Sequence, residues 1–203
     1  MAKRLFDVVF SCLGLVVTAP LMLVMAVLIK LADGGGVFYR AVRVGRFGKP
    51  FRIFKFRTMV VNAEKLGGPS TPDDDPRITK VGRFIRKYKL DELPQLINVL
   101  KGEMSFVGPR PEVQMYVDLY SEEGKAILGA RPGITDWASL WNSDEGAILA
   151  GSPDPEKAYL ELIRPEKIRL QLEYVRKRTF WIDIGIIFQT VGAIIFRSSN
   201  RGS

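Results

Sequence analysis

The sequence predicts an α/β fold of the α+β type, rich in helix, with an N-terminal helix-break-helix that enters a membrane and leaves by the same face. Three observations predict it: an uncharged apolar run from Val8 to Ile29 containing Pro20, a stretch from Val37 to Phe56 where aromatic and β-branched residues alternate with basic ones, and later segments with apolar residues at helical spacing. No composition shift divides the 203 residues beyond the first stretch. The chain therefore reads as an anchor over 1–32 and one domain over 33–200.

The apolar run is flanked by Asp7 and Lys30 and is long enough to cross a hydrocarbon core. It is long for the apolar part of a signal peptide, and no small-residue cleavage site follows. Pro20 lacks a backbone donor and clashes with the preceding turn, so a kink or break is expected near Thr18 and Ala19. Lys3 and Arg4 precede the run, and Lys30, Arg40, Arg43 and Arg46 follow it. By the positive-inside rule both ends are cytoplasmic, which requires the segment to turn back. The carbonyls freed at Pro20 then need partners such as Ser11, Thr18 or neighbouring backbone.

VFYRAVRVG and PFRIFKF, joined by a turn over Arg46 to Pro50, form a β-hairpin with a basic face. Gly34 to Gly36 are a connector, because no Gly-Lys-Ser/Thr follows them. Gly67 to Pro76 is a loop whose Asp73, Asp74 and Asp75 are expected to be solvated. Ile78 to Lys89 is an amphipathic helix with Arg83, Arg86 and Lys87 on its surface, and Pro94 to Leu100 a second helix stopped by Gly102. Tyr159 to Lys177 is a third. Trp181 to Phe196, short and interrupted by Asp183 and Gln189, reads as an interfacial or packed helix.

A net charge of +8 suits an anionic partner: nucleic acid, anionic lipid or a phosphorylated substrate. One cysteine, Cys12, and no histidine exclude a disulfide framework, His-based triads and His metal sites. Catalysis must then fall to carboxylates, Lys, Arg, Ser, Thr or Tyr. Asp91 and Glu92 in KYKLDELPQL lie at the start of the Pro94 helix, where both are expected to be ionised and where they could equally be a cap and a first-turn acid. Lys55, Arg57 and Thr58 (KFRTM) sit in the hairpin, and Arg110 is fixed between Pro109 and Pro111 in SFVGPRPE. A guanidinium held between two prolines loses little freedom on binding and matches phosphate oxygens with two parallel hydrogen bonds. Arg131 in RPGIT reads as a substrate loop or a plain connection.

Together, the Pro-broken anchor, VFYRAVRVGRFGKPFRIFKFRTM, DPRITKVGRFIRKYKLDELPQLINVLKGEMSFVGPRPE and RPGIT resemble the monotopic phosphoglycosyl transferases, a bacterial sugar transferase family, over nearly the whole chain. The resemblance implies a cytosolic catalytic domain at the inner (cytoplasmic) membrane. It implies a UDP-sugar donor, a polyprenyl (undecaprenyl) phosphate acceptor and Mg²⁺. Asp91 is then the nucleophile and a metal ligand, with UMP leaving and an aspartyl-phosphosugar as intermediate. Glu92 completes the dyad, assisting the metal or deprotonating the acceptor. Lys55, Arg57, Thr58, Arg83, Arg110 and Arg131 are expected to face phosphate, supported by Pro109, Pro111 and Pro20. Membrane lipids are expected partners, a homodimer is compatible, and nucleic acid is not expected.

Two departures from the family stand out. Many relatives have Ser-Pro at the break where this chain has Ala19-Pro20, leaving Thr18 as the nearby hydroxyl. After RPGIT, the run DWASLWNSDEGAIL replaces a glycine and an Ala-Gln-Val-Asn-Gly run, so no sugar or nucleotide contact carries over to Asp136–Leu149. A bacillosamine-type N-acetylated hexosamine, glucose and galactose all remain open as the sugar. The rival from another class is a non-enzymatic basic protein on anionic lipid. It accounts for charge and anchor but not for KFRTM, LDELPQL and VGPRPE occurring together. A nucleic-acid binder leaves the anchor without a role.

Overall fold

A computed structural model describes the backbone of residues 2–200 and the side chains of residues 2–194. Helix α1 spans Ala2–Asp33. Strands β1 (Phe38–Tyr39), β2 (Val42–Val44), β3 (Pro50–Arg52) and β4 (Lys55–Phe56) form the expected hairpin. β1 pairs antiparallel with β4 and β2 with β3, and one register runs through both ladders, from Phe38 opposite Phe56 to Val44 opposite Pro50. Its turn uses left-handed backbone at Phe47 and Gly48.

Helix α2 (Lys80–Lys87) starts where the Thr79 hydroxyl accepts the Gly82 N–H, an N-cap. A Cβ on Gly82 would lie 1.9 Å from the Thr58 carbonyl oxygen, so glycine alone lets α2 approach the KFRTM strand so closely. A 3₁₀ turn over Leu90–Glu92 leads into α3 (Gln95–Lys101), which ends at Gly102 with φ 82. Next come β5 (Ser105–Val107), α4 (Gln114–Val117) and β6 (Gly133–Thr135). β5 and β6 pair in parallel, and a Cβ on Gly133 would sit 2.1 Å from the Gly108 nitrogen. The glycines of VGPRP and RPGIT thus let these two motifs touch. Short helices α5 (Trp137–Trp141), α6 (Glu145–Leu149) and α7 (Pro155–Ala158) follow. A π-helical turn, Tyr159–Ile163, opens into α8 (Arg164–Lys177), and α9 runs Phe180–Asn200.

The core is a chain of small clusters. Met25 and Ile29 of α1 pack on Phe56 and Ile85, while Phe51, Ile53, Val99 and Met104 join the hairpin to α3. Each such side chain contributes roughly 1.5–3 kcal/mol by leaving water. Together these two clusters hold β4, α2 and α3 around the Leu90–Glu92 turn.

Helix α1 is not broken at Pro20. Helical backbone runs unbroken from Ala2 to Asp33, with Pro20 inside it and exposed. The packing explains why. Asp7 and Ser11 are buried before the proline, a Cβ on Gly14 would meet Leu96 at 3.1 Å, and Met25 and Ile29 are buried after it. Contacts on both sides of Pro20 offset the roughly 3 kcal/mol that an internal proline costs. The Thr18 hydroxyl donates to the Gly14 carbonyl at 2.7 Å, not to Val16, whose carbonyl Pro20 leaves without its helical donor.

The face that α1 turns inward is polar or small in its first half, whereas Leu13, Val16, Val17, Leu23 and Val24 are exposed. That inversion belongs to a helix whose outer face meets lipid. The Lys3 ammonium donates to the Val107 carbonyl (2.8 Å), Tyr174 and Asp183, and Arg4 donates to the Val99 and Leu100 carbonyls. At the far end Asp33 pairs with Arg57. Trp181 and Phe188 of α9 are likewise exposed, while Asp183 and Ile186 turn inward. Phe196, the expected end of this helix, has a side chain outside the described set.

The acidic run is not uniformly solvated. Asp75 is buried against Arg77, with Oδ2 2.6 Å from Nη2, and Asp74 accepts the Gly151 N–H. The pairing depends on a tight turn at Pro76 that composition alone does not display.

Candidate active site

Asp91 and Glu92 lie on the 3₁₀ turn rather than at the α3 cap, a position that Pro94 occupies. Left-handed backbone at Lys89 aims the turn at the hairpin. Lys55 on β4 reaches both acids, 2.8 Å from Glu92 Oε1 and 3.6 Å from Asp91 Oδ2. Arg110 grips Glu92 with both terminal nitrogens, Nη1 at 3.3 Å from Oε2 and Nη2 on Oε1. Pro109 and Pro111 flank it; the Pro109 carbonyl accepts the Gly133 N–H at 3.0 Å, tying this loop to RPGIT.

The two acids are pushed apart. Burial is the largest influence on Asp91 and raises its pKa, with the Glu92 charge adding to the rise and Lys55 opposing it. Burial also acts to raise Glu92, but Arg110 and Lys55 together outweigh it and hold Glu92 well below the usual carboxylate range. Arg110 is raised in turn, chiefly by the Glu92 charge. A carboxylate pair split this way assigns different tasks to its members. Glu92 is an anion locked between two cations. Asp91 has one long contact to a cation and oxygens left over for a reacting atom. The expectation that both acids share a favourable helix end is corrected here, because burial governs Asp91.

Both acids, Lys55 and Arg110 line a cavity of about 1860 Å³. Arg57, Thr58 and Arg83 line it too, but their positions differ. Arg57 is engaged with Asp33, at 2.6 Å between Nη1 and Oδ2, and clasps the end of α1 to the hairpin. Thr58 contributes its carbonyl, which accepts the Thr79 N–H at 3.0 Å. Arg83 stands exposed on α2, with no hydrogen bond or ion pair to its guanidinium among the described residues. Arg131 lies off the cavity wall and donates to the Gly102 carbonyl at 3.1 Å, and Pro20 is remote on α1.

Several residues on the cavity wall or directly behind it escaped sequence reasoning. Arg86 lines the wall and its charge bears on Asp91. Glu112, two residues past Arg110, is buried and ion-paired with Lys167, and Tyr159 donates to it at 2.9 Å. Asp136, fully buried, caps α5 through the Ser139 N–H at 2.7 Å and accepts the Arg110 backbone N–H at 3.2 Å. Its place before a short helix was a legible capping signal, but the Arg110 contact was not. Gln95 and Asn142 line the wall with buried amide atoms that have no partner among the described residues.

Among the described residues no group of three or more His, Cys, Asp or Glu could cage a metal. Both Glu92 oxygens are taken, so Asp91 is the carboxylate of the dyad open to a cation. A hard divalent ion held by one carboxylate and completed by phosphate oxygens and water fits that donor set. The cavity wall also includes apolar Leu96, Phe106, Ile134, Leu140, Val191 and Ile194, so charged and apolar surfaces share one space.

The bacterial sugar transferase family matches residues 1–197. The chain is 38% identical over 95% of its length to a UDP-N-acetylgalactosamine-undecaprenyl-phosphate N-acetylgalactosaminephosphotransferase of Aeromonas hydrophila, and spans 43% of that protein. It is 37% identical over 94% of its length to the UDP-glucose:undecaprenyl-phosphate glucose-1-phosphate transferase of Escherichia coli, spanning 39% of it. The exopolysaccharide production protein ExoY of Rhizobium meliloti is 36% identical over the whole chain, which spans 88% of that relative.

Proposed function

Because the chain belongs to the bacterial sugar transferase family, we propose that it moves a sugar phosphate from a UDP-sugar to a polyprenyl phosphate, releasing UMP. The observation that carries this reading is the split dyad: a loosely held buried Asp91 beside a Glu92 fixed by Lys55 and Arg110, on the wall of a cavity that also holds apolar side chains of α9. Asp91 attacks the β-phosphorus, the bond to the bridging α–β oxygen breaks, and UMP leaves with that electron pair. The sugar phosphate is then esterified to Asp91. An oxygen of the polyprenyl phosphate attacks the same phosphorus and restores the carboxylate, giving polyprenyl-diphosphate-sugar.

Lys55 and Arg110 balance phosphate charge as it redistributes, and Glu92 holds both cations in place before substrate arrives. An acid bound to two cations is a poor base, so Glu92 organises charge rather than taking a proton. Asp91, together with the donor phosphates, would hold Mg²⁺, which would supply further charge neutralisation and favour the ionised form of Asp91. Arg83, whose guanidinium has no hydrogen bond or ion pair among the described residues, is a cation on the wall suited to the departing nucleotide.

The anchor fits the same reading. Both ends of α1 bind one protein body, Lys3 and Arg4 at one and Asp33 at the other, and its outer face is apolar. These contacts support a helix whose two ends lie on the same membrane face, a re-entrant course that requires a bend at Pro20 within the continuous helical backbone and that sets the active site at the cytoplasmic surface of the inner membrane. Cysteines placed at Lys3 and Leu31 should react with an impermeant thiol reagent from the same side of oriented vesicles; labelling from opposite sides overturns this topology.

The deciding experiment is nucleotide release by the purified protein with Mg²⁺, undecaprenyl phosphate and a panel of UDP-glucose, UDP-galactose and their N-acetylated and bacillosamine-type counterparts. UMP from a donor of the panel is expected. UDP would mean glycosyl transfer without the phosphate, and no nucleotide would return the chain to the lipid-surface reading.

A further inference from the structure

One side chain on the cavity wall is out of balance. Asn142 lines the cavity, and both its carboxamide atoms, Oδ1 and Nδ2, are buried and without a hydrogen-bond partner among the described residues. Folding leaves such an orphaned donor and acceptor together only where something else compensates. The backbone holding Asn142 is firmly placed, since its N–H bonds the Ala138 carbonyl at 2.9 Å. The start of α5 is fixed by Asp136, which accepts from Ser139 and Gln171 and from the backbone N–H of Arg110. Glu145, three residues on, is near enough for its charge to bear on Arg110. Asn142 thus belongs to a segment built onto the cation that grips Glu92.

We infer that Asn142 is a specificity-determining residue that pairs its carboxamide with one neutral polar substituent, a hydroxyl or an acylamido group, on the transferred sugar. The inference rests on the phosphosugar-transfer reading and deepens it. The sugar ring is one ester link from the β-phosphorus, whereas the uracil lies beyond a second phosphate and a ribose, so the group nearest the Arg110 end of the cavity is the sugar. A neutral carboxamide whose NH₂ donors and carbonyl acceptor are unpaired among the described residues matches a substituent that can both accept and donate. It leaves a carboxylate or ammonium substituent unneutralised.

The test uses the full-length protein and the best donor of the UDP-sugar panel, with a series of analogues each lacking one ring substituent, and compares wild type with Asn142→Leu and the near-isosteric Asn142→Asp. In wild type, deleting the recognised substituent should lower kcat/KM roughly 10- to 100-fold. In Asn142→Leu that same deletion should cost almost nothing more, while every other deletion costs what it does in wild type. A uniform loss across all analogues, or a variant with the wild-type profile, overturns the inference; Asn142→Asp, with its fold checked by thermal unfolding, separates a changed profile from a damaged protein. Absence of UMP from wild type with every donor strikes the underlying reading instead, and this inference falls with it.

Discussion

Asp91→Asn should lower the rate of UMP formation by roughly 10³-fold or more while leaving the protein folded. The carboxamide keeps the shape of the carboxylate but not its nucleophilic oxygen, so no phosphosugar can be carried on the side chain. Incubated with donor and no acceptor, wild type should gain the mass of one sugar phosphate and the variant none. Stability should move the other way. Burial raises the folded pKa of Asp91, so the ionised form weakens the fold at every pH above its ordinary 3.8. Asparagine removes that burden, and the variant should melt at the same temperature as wild type or higher. Undiminished UMP release by Asp91→Asn would remove Asp91 from the chemistry, and the covalent route with it. Glu92→Gln is the informative contrast: it frees Lys55 and Arg110 from their shared anion, so its loss should be partial and should appear in both KM and kcat.

Lys167→Met is expected to cost about 3–5 kcal/mol, because it leaves Glu112 buried without its cation. The two side chains are only 9% and 10% exposed, and the Tyr159 hydroxyl, which donates to Glu112, accepts from Lys167 at 3.0 Å. In wild type, burial is the largest influence on Glu112 and acts upward, but Lys167 and the Tyr159 hydrogen bond outweigh it and the carboxyl is depressed. Its contribution to stability is therefore complete above its ordinary 4.5 and is lost as pH falls through the lower folded value. Lys167 is raised well above its ordinary 10.5, so its contribution is complete below 10.5 and is lost as pH rises through the folded value. Wild type should show a plateau between these limits. In Lys167→Met, burial is no longer countered by the ammonium and the Glu112 pKa rises, so acidification through that range should stabilise the variant. Chemical unfolding in detergent at a series of pH values reads this change of sign. Adding Glu112→Gln to Lys167→Met should recover part of the loss, and a double variant no more stable than the single would show that the pair is not the cause.

The local elements and the residues that meet around the cavity were largely legible from short-range signals. Alternation gave the hairpin, helical spacing gave α2 and α8, and Gly102 ended α3, because these signals depend on neighbours a few residues apart. LDELPQL and VGPRPE pointed to Asp91, Glu92 and Arg110, and the cavity holds all three. How charge is shared among them is set by packing between distant segments. Lys55 and Arg110 come from separate elements and converge on Glu92, so which acid is fixed and which is left open depends on approach distances that no spacing encodes. The same holds for Arg57 and Arg131, both cations in quoted motifs, which the fold directs to Asp33 and to the Gly102 carbonyl. Pro20 is the instructive case for local rules. They predict a kink or a break; the break does not occur, and helical backbone runs on through the proline because contacts made far along the chain offset one missing hydrogen bond.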